Sequence, residues 1–421
     1  MAETYQPNEP DAVRKADTLW RYVPAQDYET PDQPASEKVI SGLHAFWRRF
    51  WPGNAQASRE EDDAECRPLS ETVLSEVLPN LNWEAAASSL ADQLSPWLDD
   101  DTPDLMRAVI GPPGSGVRQV VTHWGEQASA TLLSPPDYRQ MFDPEPDYWQ
   151  KVTHDTEGVL VIAELERFFL RHSDGLGLIR QLAEWLWLAP RRVVIGCDSW
   201  AWAYLCHAVH IDAVFRKPLA LEPLDGDALR SWFRPRRRGR YLVRTARNGD
   251  VIYPIEVAEE IARSPTDSDT GTEEPHYKGA YVFQRIAAMS RGIPEVALAL
   301  WRKCLCEGDL EEGDEDELPI VGTRTPIRVR TPKSLILPTL PSGASTREAI
   351  VLHTLLLHAG LPASVLARLI PLPTSDVIAI LSALREADLI SENNRVWKVA
   401  PLGYVNARAF VRAESLLIDQ F

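Results

Sequence analysis

The sequence predicts an α/β protein in three parts: a parallel sheet bearing a glycine-rich phosphate-binding turn, a helical lid, and a terminal module of three helices and a hairpin. Three observations carry this expectation. Apolar runs of strand length alternate with helical patterns from 105 to about 220. The run Leu105–Ile110 leads straight into Gly111-Pro112-Pro113-Gly114-Ser115-Gly116. Residues 344–421 read as three helices followed by two short strands, the order of a winged helix-turn-helix.

With 421 residues the chain suggests two or three domains. Hydrophobic residues at 44% and charged residues at 25% are a globular composition. The formal charge of −17 repels nucleic acid and anionic lipid overall, so contact with either needs a local basic patch. The five cysteines, Cys66, Cys197, Cys206, Cys304 and Cys306, are odd in number and form no Cys-x-x-Cys pair. That argues against a disulfide framework and a structural zinc site. Residues 1–15 hold no apolar stretch and no run reaches the roughly 20 apolar residues of a span, so a cytoplasmic protein is expected.

In order, residues 1–68 read as largely disordered, with a docking element at Leu19-Trp20-Arg21-Tyr22 and an amphipathic helix at 37–51. That helix sets Val39, Leu43, Phe46, Trp47 and Phe50 against Lys38, His44, Arg48 and Arg49. It suits packing on the α/β domain, a partner groove or a membrane-associated complex. The α/β domain is assigned to 69–223. Its strands are Leu105–Ile110, Thr131–Ser134, Val159–Ala163, Arg192–Cys197 and a last short one at Ala213–Phe215. Residues 224–306 form a helical lid, 307–340 an acidic and Pro-rich linker, and 341–421 the winged helix domain.

A P-loop directs backbone N–H groups and a helix N-terminus at phosphates. Its full motif is G-x-x-x-x-G-K-[ST]. Gly111, Pro112, Pro113, Gly114, Ser115 and Gly116 supply the loop, but Val117 replaces the lysine and Arg118 the Mg²⁺-holding Ser/Thr. In the strand Val159-Leu160-Val161-Ile162, Ala163 occupies the position of the metal-binding acid and Glu164 the next. Three losses on one Mg-phosphate assembly argue against hydrolysis and against Mg²⁺. Glu164 is the one candidate for polarising water; its bland alternative is a surface pair with Arg167. Asp198, at the end of the next strand, fits a sensor-like role near a γ-phosphate, or an N-cap, which is preferred.

The order then continues through Phe215-Arg216-Lys217-Pro218-Leu219, Leu221-Glu222-Pro223-Leu224-Asp225 and Met289–Trp301, where Gly292-Ile293-Pro294 opens a lid helix. Over roughly 70–421 this layout resembles AAA+ and STAND-type P-loop ATPases, including origin-recognition-type initiators and transposition ATPases. The resemblance implies ATP or ADP as ligand, nucleotide-state switching or partner scaffolding, and an oligomer as one option. Val117, Arg118 and Ala163 depart from the family pattern. The expected function is a regulatory or scaffolding subunit that binds nucleotide without turnover, with a protein partner. The alternatives are a DNA-associated initiator and an active ATPase with a non-standard loop. DNA is disfavoured because residues 341–421 carry seven Lys/Arg against seven Asp/Glu. The basic cluster Arg234, Arg236, Arg237, Arg238 and Arg240 is expected to meet the acidic linker at 309–317.

Overall fold

The computed structural model describes residues 19–31, 66–99, 104–188, 191–235, 240–246, 251–253, 280–308 and 325–421. The 37–51 helix, the acidic linker and Arg236–Arg238 lie outside the described residues.

Strand β1 (Tyr22–Pro24) comes first, then α1 (Glu71–Val77), α2 (Trp83–Asp99) and β2 (Met106–Gly111). After the loop follow α3 (Val117–Gln127), β3 (Thr131–Leu132), α4 (Tyr138–Phe142), α5 (Tyr148–Thr153) and β4 (Leu160–Ile162). The layer closes with α6 (Gly177–Leu188), β5 (Val193–Asp198), α7 (Ser199–Val209), α8 (Ile211–Val214) and β6 (Leu219–Leu221). The sheet order is β1-β6-β2-β5-β4-β3, all parallel except β1. Every residue of β5 is buried, as a central strand covered on both faces requires. The loop strand β2 lies between β6 and β5, so the loop opens over the middle of the sheet.

Two expectations fail at the edge of this sheet. Residues 19–31 are not a loose docking element: β1 pairs with β6, and Trp20 is buried against Trp83 and Trp232 with ring centroids 5.6 and 5.9 Å away. The last strand is at Leu219–Leu221, not Ala213–Phe215, where His210 in the left-handed region (φ 52°) starts the single helical turn α8.

The lid contains α9 (Gly226–Trp232), β7 (Tyr241–Thr245), α10 (Ala280–Ser290), α11 (Pro294–Cys304), β8 (Leu305–Glu307) and β9 (Thr325–Val329). It is not purely helical, because β7, β9 and β8 form a sheet that takes its central strand from the expected linker. Gly292 (φ 72°) separates α10 from α11, and Pro294 at the first helical position starts α11. Cys66 and Cys306 form a disulfide with Cα atoms 5.5 Å apart, contrary to the expectation from cysteine count. Arg240 pairs with Glu76 at 2.8 Å; the acidic linker expected to meet it lies outside the described residues.

The C-terminal residues form α12 (Thr346–Leu357), β10 (Leu361–Pro362), α13 (Ala363–Leu369), α14 (Thr374–Glu386), β11 (Ile390–Asn393), β12 (Val396–Val399) and α15 (Tyr404–Ala413). The hairpin turn is Asn394-Arg395 (φ 51° and 63°), one residue later than Asn393-Asn394. No described helix is long and apolar enough to cross a membrane.

Candidate functional site

β2 delivers the chain into a turn that glycine permits. Gly114 (φ 86°) and Gly116 (φ 77°) adopt left-handed backbone, and Ser115 N–H donates to the Pro112 carbonyl at 3.0 Å. Val117 opens α3, which follows the loop as a P-loop helix does. Its methyls turn towards the strand tops, with Cγ1 3.2 Å from where a Cβ on Gly196 would sit and Cγ2 3.0 Å from one on Gly111. The lysine position therefore faces the sheet as packing. On the other side, a Cβ on Gly116 would lie 2.4 Å from the Trp83 ring. Gly116→Ala should cost about 3 kcal/mol, combining left-handed strain with the clash against a buried indole. Denaturant unfolding checks this; a loss below about 0.5 kcal/mol would mean the loop and Trp83 are not packed this way.

The acidic side of the site gathers Ala163, Glu164 and two arginines. Ala163 is buried at the end of β4. Glu164 Oε2 lies 3.6 Å from Arg118 Nη1 and 3.3 Å from Arg167 Nη1. The Arg118 and Arg167 guanidiniums thus flank the Glu164 carboxylate. Among the described residues no group of His, Cys, Asp and Glu is arranged to hold a metal ion. Asp198 Oδ1 accepts from Trp200 N–H at 3.0 Å and caps α7.

Glu166 is the functional-site residue that the sequence reading missed. It is 5% exposed, and its Oε2 accepts from Asp198 N–H at 3.1 Å, tying the end of β4 to the end of β5. Burial pushes its carboxyl up to about 7. Burial also raises Asp198, with the neighbouring Glu166 charge adding to the effect. The available sequence signal was a second glutamate two residues after Glu164, which resembles any surface pair.

The C-terminal module sits on this corner. His358 Nε2 accepts from Arg171 N–H at 3.3 Å, which leaves Nδ1–H to donate to the Glu166 carbonyl at 3.4 Å. His353 Nδ1 accepts from Arg171 Nη1 at 3.1 Å, and its Nε2–H donates to the Leu417 carbonyl at 2.9 Å. Burial holds both imidazoles down at about 4, so both are neutral near pH 7. From the lid, Glu295 N–H donates to the Gly114 carbonyl at 3.2 Å. Together loop, lid and module enclose a cleft of about 390 Å³. Gly111 to Arg118, Glu164 and Asp198 all line it, joined by Lys398 of β12.

No protein-family model and no curated protein matches the chain. Solved structures similar to it include the RuvB Holliday junction branch migration motor of Thermotoga maritima: 14% identity, TM-score 0.30, 82% of this chain and 97% of that one covered. The Walker-type ATPase PABY2304 of Pyrococcus abyssi is 11% identical with TM-score 0.30, over 78% and 96% of the two chains. The Aeropyrum pernix ORC2 protein, solved as ADPNP-ADP complexes, is 11% identical with TM-score 0.33, over 85% and 98%. The fold is mixed α/β with a mainly parallel central sheet. A glycine-rich turn between β2 and α3 at the carboxyl ends of parallel strands is where such a fold receives an anionic ligand.

Proposed function

We propose that the protein is a catalytically degenerate AAA+/STAND-like regulatory or scaffolding subunit that binds ATP or ADP without hydrolysing it. The observation that carries this reading is the Arg118–Glu164 pair at 3.6 Å. It supports a reading in which a side-chain cation stands near where a hydrolytic site needs Mg²⁺, beside a backbone nest at Gly111–Gly116 with left-handed Gly114 and Gly116. Phosphate recognition by backbone N–H groups survives loss of the metal; phosphoryl transfer, which depends on metal-stabilised charge, does not.

The winged helix-like module is read as a protein-binding and structural element. Two of its exposed basic side chains face acids: Arg347 lies 3.3 Å from Asp376 and Arg385 3.7 Å from Glu392. Such pairing leaves little positive field for a duplex.

Calorimetric titration with ATP and ADP, with and without Mg²⁺, tests the reading. Binding that is equal in EDTA and in Mg²⁺, with no phosphate release, is expected. Mg²⁺-dependent phosphate release abolished by Glu164→Gln would establish an active ATPase instead.

A further inference from the structure

The cleft holds a cation that the loop itself lacks. Three basic side chains line it: Arg118, Arg167 and Lys398. The first two are committed to Glu164, at 3.6 and 3.3 Å. Lys398 is exposed and makes no hydrogen bond or close ion pair among the described residues; the charge it acts on there is the Glu295 carboxyl, which lines the same cleft. The strand of Lys398 is held close to the loop by specific packing. Gly360 adopts φ 109°, and a Cβ there would lie 2.9 Å from the Trp397 carbonyl and 3.1 Å from the Lys398 Cβ. Glycine at that turn therefore lets β12 close down on the end of α12, which His358 anchors to the Glu166 carbonyl. The lysine consequently emerges beside the loop from an element more than 270 residues away in sequence.

We propose that Lys398 supplies, from the C-terminal module, the phosphate-facing charge that Val117 removed from the loop. This rests on the reading of the loop as a nucleotide site and names the residue that completes it. A Lys ammonium on a flexible stem serves as a point charge for phosphate without demanding fork geometry. The ligand class is a nucleoside di- or triphosphate, taken up without metal. Binding then requires the module to be docked, so nucleotide and module position become linked.

The test is calorimetry with ATP and with ADP in EDTA, on wild type, Lys398→Ala and Lys398→Arg, together with thermal melts of each protein without nucleotide. Lys398→Ala should weaken binding at least tenfold and Lys398→Arg should restore most of it, with the ligand-free melts unchanged. Wild-type binding that Lys398→Ala leaves within twofold would overturn the role of Lys398 alone. Absence of binding by wild type at millimolar nucleotide would overturn the nucleotide reading, and Lys398 with it.

Discussion

Asp419→Ala is expected to destabilise the protein by about 3–5 kcal/mol, because it leaves a buried guanidinium without its counter-ion. Asp419 is 2% exposed and Arg408 8%. Arg408 Nε donates to Asp419 Oδ1 at 3.0 Å, and its Nη2 donates to the Asp419 carbonyl at 2.9 Å. The other carboxylate oxygen accepts from the Ser199 hydroxyl at the start of α7. One side chain thus joins α15, the segment after it and the strand end that carries Asp198. Removing it orphans a charge and a hydroxyl together, in a place water does not reach. Asp419→Asn keeps one acceptor oxygen and should cost less. Urea unfolding of the two variants provides the check. A loss below about 1 kcal/mol for Asp419→Ala would show that the Arg408 guanidinium finds water there, and that the tail is not a structural tie.

The same geometry explains which features could be read from sequence. The central strands were legible because a parallel strand covered on both faces must be apolar throughout, and β5 is buried at every position. The loop and α3 were legible because the turn is local and its glycines serve left-handed backbone. The last strand was misplaced because Ala213–Phe215 is a three-residue apolar run, too short for periodicity to separate helix from strand. The lid sheet was missed because β7 pairs with β9, some 80 residues away, and local pattern does not name a distant partner. The disulfide escaped for the same reason, joining cysteines 240 positions apart. Within the site, the departures from the P-loop pattern at Val117, Arg118 and Ala163 were legible. The contacts around them were not: Arg118 meets Glu164 only after folding, and His358 reaches the Glu166 carbonyl across 192 residues.

Glu166 sets the second large expectation, a pH-dependent loss of stability above the range of ordinary carboxylates. In the unfolded chain its carboxyl titrates near 4.5, and burial in the folded protein pushes it up to about 7. The folded state therefore favours the protonated form. The associated stability is complete below pH 4.5, declines as pH rises towards 7, and is gone above that, because the unfolded chain releases the proton first. The full difference is about 3 kcal/mol. Glu166→Gln keeps an oxygen that can accept from Asp198 N–H and removes the ionisation. The stability of wild type relative to Glu166→Gln should thus fall by about 3 kcal/mol between pH 4.5 and 8, with most of the change below 7. His353 and His358 titrate in overlapping pH but are common to both proteins, so the difference reports Glu166 together with its effect on Asp198. Parallel pH profiles for the two proteins would mean that Glu166 is solvated. The variant also bears on Asp198, whose carboxyl the Glu166 charge pushes up. In mildly acidic solution Glu166 accepts the Asp198 N–H without carrying a buried charge, while Arg118 lies beside Glu164.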